Sequence, residues 1–295
     1  MKINRKFMSA LCIAAIGAST LLFTGCGNSE ESSSGASSDE IHVVSREDGS
    51  GTREAFSEIT KLIVKDGDKK TDNTVKDAII QNSTESVMST VSTDKDAIGY
   101  ISLGSLNDKV KALKLDGVEA TDANIKAEKY ALARPFLVAY KESPDKVTQD
   151  FLNYLLSDQG QEIVAKNGYI ALEGKGKYEP SKLKGHIAVS GSTSVTPLME
   201  KIVEQYESLN PDITIDIQSN GSSAGITDTI NGGANIGMSS RNLKDDEKAK
   251  LKEEKIAIDG IAVIVNKENK LDNISLQQLN EIYTGKIKEW SKLAQ

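Results

Sequence analysis

Cysteine is nearly absent: of 295 residues only Cys12 and Cys26 carry a thiol, and both stand before residue 41. From Ile41 to Gln295 the chain therefore has no disulfide and no thiolate metal site, and packing alone must hold it. Histidine is as scarce. His42 and His186 each open a short apolar strand pattern; with no Cys or acidic residue at ligand spacing they read as strand-edge residues, and the competing reading is a metal pair. Positive charge is short too, 36 Lys and Arg against 43 Asp and Glu, for a net charge of -7. That balance offers no basic field for nucleic acid, so an anion site has to be a local concentration of donors. A hydrolase would need a nucleophile with a base or a metal, and neither histidine stands at the carboxyl end of a strand. No enzyme activity is expected, although Lys, Asp or Glu would remain as candidates for phosphoryl transfer.

What is present begins with a leader. Lys2, Arg5 and Lys6 precede an apolar run from Phe7 to Phe23, closed by Thr24, Gly25 and Cys26. This is a secretory signal pattern. It resembles a bacterial lipoprotein signal (residues 1–26), whose cysteine, here Cys26, is lipidated and becomes the new N-terminus, although Phe23 stands where Leu is usual. An uncleaved anchor is the alternative, and the run is short for a span of about 20 residues. Residues 27–40 are Ser, Gly and acid with little to bury, which predicts a flexible tether. The fold is expected to begin near Ile41.

Alternating short patterns fill the rest. Strands are predicted at 41–44, 97–102, 133–140, 186–190, 213–218, 235–238 and 257–265, and helices at 52–64, 74–81, 84–92, 146–156, 158–167, 195–207, 223–231, 244–253 and 275–283. The fold class is α/β, with helices on both sheet faces and enough chain for two domains. Residues 173–185, rich in Lys and Gly without a period, read as a surface connection.

Three strand-to-helix turns share one chemistry. The strand Ile41–Val44 runs through Ser45–Thr52 into a helix, so the N–H groups of Ser50, Gly51 and Thr52 fan out at a helix N-terminus, where free donors and the dipole favour an anion. Ser50 and Thr52 add hydroxyls, and Arg46 supplies a planar fork that fits two oxygens of a tetrahedral oxyanion. Asp48 is awkward beside an anion unless it pairs with Arg46 and fixes its direction. The turn lacks the lysine of a Walker loop, which argues against nucleotide triphosphates. Alone, it would be matched by a glycine-rich turn capped by Thr52. But Gly191–Ser194 and Gly221–Ser223 repeat the pattern, and Ser239 and Ser240 end another strand. All stand at the carboxyl ends of strands, where open α/β sheets bind ligands, and together they point to a single shared small anion.

Through SREDGSGTREAF, SGSTSVTP, NGSSAGI, IGMSSRNL, AIDGIAVIVNK and IYTGKIKEW, residues 41–295 resemble the phosphate-binding lipoproteins that feed Pst-type phosphate ABC transporters. The resemblance implies a type II periplasmic-binding-protein fold: two α/β domains joined by crossing strands, with a ligand cleft between them that closes on one phosphate. It implies binding by Thr193 and Ser194, by Ser222, and by Arg46, Ser50, Gly51 and Thr52, with Asp48 bracing Arg46. Many relatives have an Asp where this chain has Ser240, to accept the proton of hydrogen phosphate; the serine can accept that bond without the carboxylate's charge. Arg241, next in line, reads as a surface residue paired with an acid such as Asp245.

The order of the motifs departs from the family. There the GST turn comes first; here the usual second part runs from Ile41 to about Leu172, residues 173–185 bridge the old termini, and the usual first part follows. The resemblance therefore implies a circular permutant, with a discontinuous domain at 41–127 plus 269–295 and a second at 128–268. The segments around 136–140 and 257–266 would be the crossing strands. A loop of a dozen residues closes such a break at small entropic cost. The resemblance implies inorganic phosphate and ABC permease subunits as partners, no nucleic acid, no cofactor and no metal, and a lipid-anchored place on the extracytoplasmic face of a bacterial membrane. The alternatives are a sulfate or other oxyanion receptor, or a phosphate sensor uncoupled from transport.

Overall fold

The computed structural model describes residues 39–66 and 69–293; the predicted signal, Cys26 and nearly all of the tether lie outside the described residues. Along the chain come β1 (His42–Arg46), α1 (Gly51–Ile59), a hairpin of β2 (Ile63–Asp66) and β3 (Lys69–Asp72), β4 (Ile79–Gln81), α2 (Thr84–Thr93), β5 (Ala97–Ser102), β6 (Lys111–Ala112), β7 (Lys114–Leu115) and α3 (Asp122–Lys126). Then follow β8 (Ala133–Tyr140), α4 (Lys146–Leu156), α5 (Asp158–Lys166), β9 (Gly185–Gly191), α6 (Thr196–Leu209), β10 (Ile213–Ser219) and α7 (Ser222–Asn231). The described chain closes with β11 (Ile236–Ser239), α8 (Asp245–Lys248), β12 (Lys252–Val265), β13 (Asn273–Ile274) and α9 (Leu276–Tyr283).

One sheet organises these elements, in the order β10-β9-β11-β8-β12-β5-β1-β4 with β6 added on β12. β12 spans it: residues 252–260 pair with β8 and residues 261–265 with β5, both antiparallel. Each half has its own apolar packing. On the β8–β11 side Phe136, Phe151, Ile187, Val189 and Tyr206 form one core cluster. On the β1–β5 side the period of two sorts neighbours onto opposite faces: Val43, Ile98, Tyr100 and Val263 join Phe56 and Tyr283 in one cluster, and Val44, Ala97, Ile101 and Ala262 join Val87 in another. A strand covered on both faces needs apolar residues at every position, which is why β5 and the end of β12 read as continuous runs.

Two predicted helices are not formed as expected. Residues 74–81 turn and then extend as β4, which pairs in parallel with β1; β-branched Ile79 and Ile80 suit the open edge of a sheet better than a short helix. Of 244–253 only the four-residue α8 is helical, because Lys252–Lys255 extend against β8. The helix predicted over 52–64 ends at Ile59, and its last two positions, Ile63 and Val64, begin β2 instead.

The two ends of the described chain meet. Ile41 N–H donates to the Lys288 carbonyl at 2.8 Å and Trp290 N–H to the Asp39 carbonyl at 2.8 Å, and Glu40 and Glu289 form an antiparallel bridge. The α9 residues Leu279, Ile282 and Tyr283 are fully buried in the β1–β5 core. Phe56 stacks on Tyr100 at 3.9 Å, and the Tyr283 hydroxyl donates to the Val44 carbonyl at 3.0 Å. The connection 173–185 has almost no regular structure but is more than a surface tie. Tyr178 is buried, and its hydroxyl donates to Asp150 at 2.6 Å.

Candidate functional site

Where the sheet halves face each other, at the carboxyl ends of β1, β9 and β11, a shell of hydroxyls is buried. Ser50, Thr52, Ser192, Ser194, Ser222 and Ser240 are each no more than 3% exposed. Burying so many polar groups is costly unless they pair. They pair with one another: Thr52 Oγ1 lies 2.8 Å from Ser194 Oγ, Ser192 Oγ donates to Ser240 Oγ at 2.9 Å, and the Ser240 N–H donates to Ser222 Oγ at 3.1 Å. Thr52 belongs to the β1 side and Ser194 to the β9 side, so the first contact joins the two halves. Ser222 and Ser240 also sit against Gly51, where a Cβ would run into Ser222 Oγ and lie 2.7 Å from Ser240 Oγ. Only glycine permits that approach.

The helix ends are arranged around this shell. Ser50 caps α1, accepting the Arg53 N–H at 3.3 Å. The starts of α6 and α7 receive no side-chain cap; backbone carbonyls take some of their N–H groups, Ser192 those of Val195 and Thr196 and Gly49 that of Ser223, and both dipoles still point their positive ends at the shell.

Arg46 closes the shell from the end of β1 and is 1% exposed. Its guanidinium donates through Nη2 to Thr193 Oγ1 at 2.9 Å, and through Nε and Nη2 to both carboxylate oxygens of Glu47 at 2.8 Å each. The expected brace is thus corrected. Asp48 is almost wholly exposed at its side chain and pairs with Arg53 at 2.8 Å, so Glu47 fixes the direction of Arg46 instead. A bidentate carboxylate leaves the guanidinium charged and locked in its plane.

One member of the shell, Thr84, escaped the sequence reading, and Ser192 stood in an expected turn but outside the implied ligand set. Thr84, the first residue of α2 and buried, lies 3.0 Å from Ser194 Oγ; the turn before it was hidden because 74–81 read as helix. Ser192 adjoins the expected pair Thr193 and Ser194 and accepts the Ser194 N–H at 3.3 Å. Arg241 is also corrected. It is buried, and its partners are Glu54 and Glu247 rather than Asp245. Among the described residues no carboxylate is hydrogen-bonded to Ser240, Ser222 or Ser194, whose partners are hydroxyls and backbone. His42 and His186 open their strands at the far end of the sheet from this shell, paired with Asp94 at 2.7 Å and Asp216 at 2.8 Å.

The chain is similar to known proteins over nearly its whole length. A family model described as a PBP superfamily domain matches residues 28–159 and 176–295. The phosphate-binding protein PstS 2 of Streptococcus pneumoniae is 48% identical over 289 residues, 98% of this chain and 99% of that protein. The phosphate-binding protein PstS of Staphylococcus aureus is 41% identical over 125 residues, but these are only 40% of this chain and 38% of that one. The crystal structure of a phosphate-binding protein of a phosphate ABC transporter from Streptococcus pneumoniae superimposes with a TM-score of 0.70 at 49% identity, covering 86% of this chain and 99% of that one.

Proposed function

The chain belongs to the PBP superfamily and, within it, to the phosphate-binding PstS proteins, and from that premise we propose that it is an extracytoplasmic receptor that captures inorganic phosphate and delivers it to an ABC permease. The observation that carries the reading is the convergence of turns from both halves of the sheet on one buried hydroxyl shell beside Arg46. Hydroxyls and helix N-termini donate to the oxygens of a tetrahedral anion, and the guanidinium supplies the countercharge. Phosphate would be bound by Arg46, Ser50, Gly51, Thr52, Thr193, Ser194, Ser222 and Ser240, with Thr84 and Ser192 completing the shell. Capture and release need no bond-making group, which fits a carrier rather than an enzyme.

The polypeptide order supports a permuted arrangement. The streptococcal relative aligns from end to end, whereas the staphylococcal one aligns over about two fifths of either chain, as expected when two halves are exchanged in order. The domains would be 41–127 plus 269–295 and 128–268, with β12 crossing between them so that its last residues complete the first. Lipidation at Cys26 would hold the receptor on the outer membrane face through the tether.

A second reading is favoured by Ser240. Without a carboxylate to take a proton from the ligand, the shell is built of donors and ambivalent hydroxyls, which also suit sulfate. Calorimetric titration with phosphate and then sulfate tests both readings. Binding of phosphate alone supports the first, comparable binding of both supports a general oxyanion receptor, and heat from neither defeats the assignment. Ser240→Asp should weaken sulfate strongly, since a carboxylate would face an oxygen with no proton to give, and phosphate less.

A further inference from the structure

Arg241 follows Ser240 directly and is 3% exposed. Its Nη1 and Nη2 donate to the two oxygens of Glu247 at 2.7 and 2.8 Å, Nη1 also to the Asn242 carbonyl at 2.9 Å, and Nη2 to Ser223 Oγ at 3.2 Å. All of these groups belong to the β8–β11 half. The remaining nitrogen, Nε, faces Glu54 Oε2 at 2.7 Å, and Lys244 Nζ stands 3.7 Å from the same oxygen. Glu54 comes from the other half, in the first turn of α1, three residues beyond Gly51. Beside it the Ser223 N–H donates to the Gly49 carbonyl at 3.1 Å.

The charges are distributed unequally. Glu247 already gives Arg241 a bidentate partner within its own half, so Arg241 keeps a countercharge when Glu54 is withdrawn. Breaking a buried pair is costly chiefly when it strands a charge; here Glu54, already about 21% exposed, returns to water and Arg241 stays neutralised. The contact is therefore suited to being made and broken repeatedly. It also acts at the right place, because Arg241 holds Ser223 and adjoins Ser240, while Glu54 lies on the helix that carries Gly51 and Thr52.

Resting on the phosphate reading, we propose that Glu54 is a positioning residue: its ion pair with Arg241 clasps α1 to the Ser222–Ser240 side of the shell and sets how long a bound oxyanion is retained, without touching the anion. The test compares the purified protein with Glu54→Gln and Glu54→Asp by stopped-flow with inorganic phosphate, and by small-angle scattering in phosphate-free solution. Glu54→Gln should raise the dissociation rate on the order of tenfold, as for a lost ion pair between partly buried charges, and change the association rate by less than about threefold. Glu54→Asp should restore part of the loss. Dissociation from the unmutated protein should quicken with salt, and that dependence should shrink in Glu54→Gln. The phosphate-free radius of gyration should be larger in Glu54→Gln. Unchanged dissociation and unchanged radius would overturn the proposal, as would a loss of affinity that tracks a lowered thermal midpoint of the phosphate-free protein. Should phosphate fail to bind the unmutated protein, the functional reading falls, while the scattering comparison still decides whether the clasp exists.

Discussion

Arg46 and the hydroxyls around it are not equivalent. A charge-assisted fork contributes about 1.5–3 kcal/mol, against roughly 0.5–1.5 kcal/mol for a neutral donor, so Arg46→Ala should weaken phosphate binding more than Ser222→Ala. Arg46→Lys should recover only part, because an ammonium reproduces neither the planar fork nor the bidentate contact to Glu47. Equal losses for Arg46→Ala and Ser222→Ala in phosphate titrations would contradict this ranking. The charge was legible in the sequence; its brace was not. Glu47 and Asp48 are adjacent carboxylates, and which one reaches Arg46 depends on where the turn sends each side chain. The longer Glu47 folds back along the guanidinium, while Asp48 points to solvent and is taken by Arg53.

Between strands and helices, the recurring device is a turn of small hydroxyl residues at a strand's carboxyl end followed by a helix start. It was legible wherever the strand before it was legible, as at Gly191–Ser194 and Gly221–Ser223. It was missed at Thr84 because β4 is a three-residue edge strand whose apolar residues also fit a helical period, and only pairing with β1 decides between the two. The packing of Gly51 gives this scale its prediction. In the first turn of α1, alanine favours the helix by up to about 1 kcal/mol, which offsets part of the cost of the disturbed contact, so Gly51→Ala should change the thermal midpoint of the phosphate-free protein little. The added Cβ would nevertheless press on Ser222 and Ser240 and hold the two sides of the shell apart, with an expected loss of at least about 2 kcal/mol in phosphate binding, the worth of two neutral donors. Undiminished affinity would mean that the two sides do not close as tightly when the anion is bound.

For the whole molecule, the β1–β5 half of the sheet is assembled from both ends of the described chain. Residues 269–295 follow β12, yet α9 and Trp290 complete the core around β1 and β5, and the 288–291 segment pairs with residues 39–41. That closure could be read only in outline from the sequence: the apolar set Leu279, Ile282, Tyr283 and Trp290 needed a sheet to cover, but nothing in its spacing said which molecule supplied it. Here one chain supplies both, and exchange between two copies is the competing arrangement. Phosphate titration by calorimetry, with the same sample followed by sedimentation, tests the whole account most directly. A compact monomer that binds one phosphate per chain, with affinity unchanged on dilution, is the predicted result. A dimer that loses phosphate on dilution, or a monomer that takes up no phosphate, would contradict it.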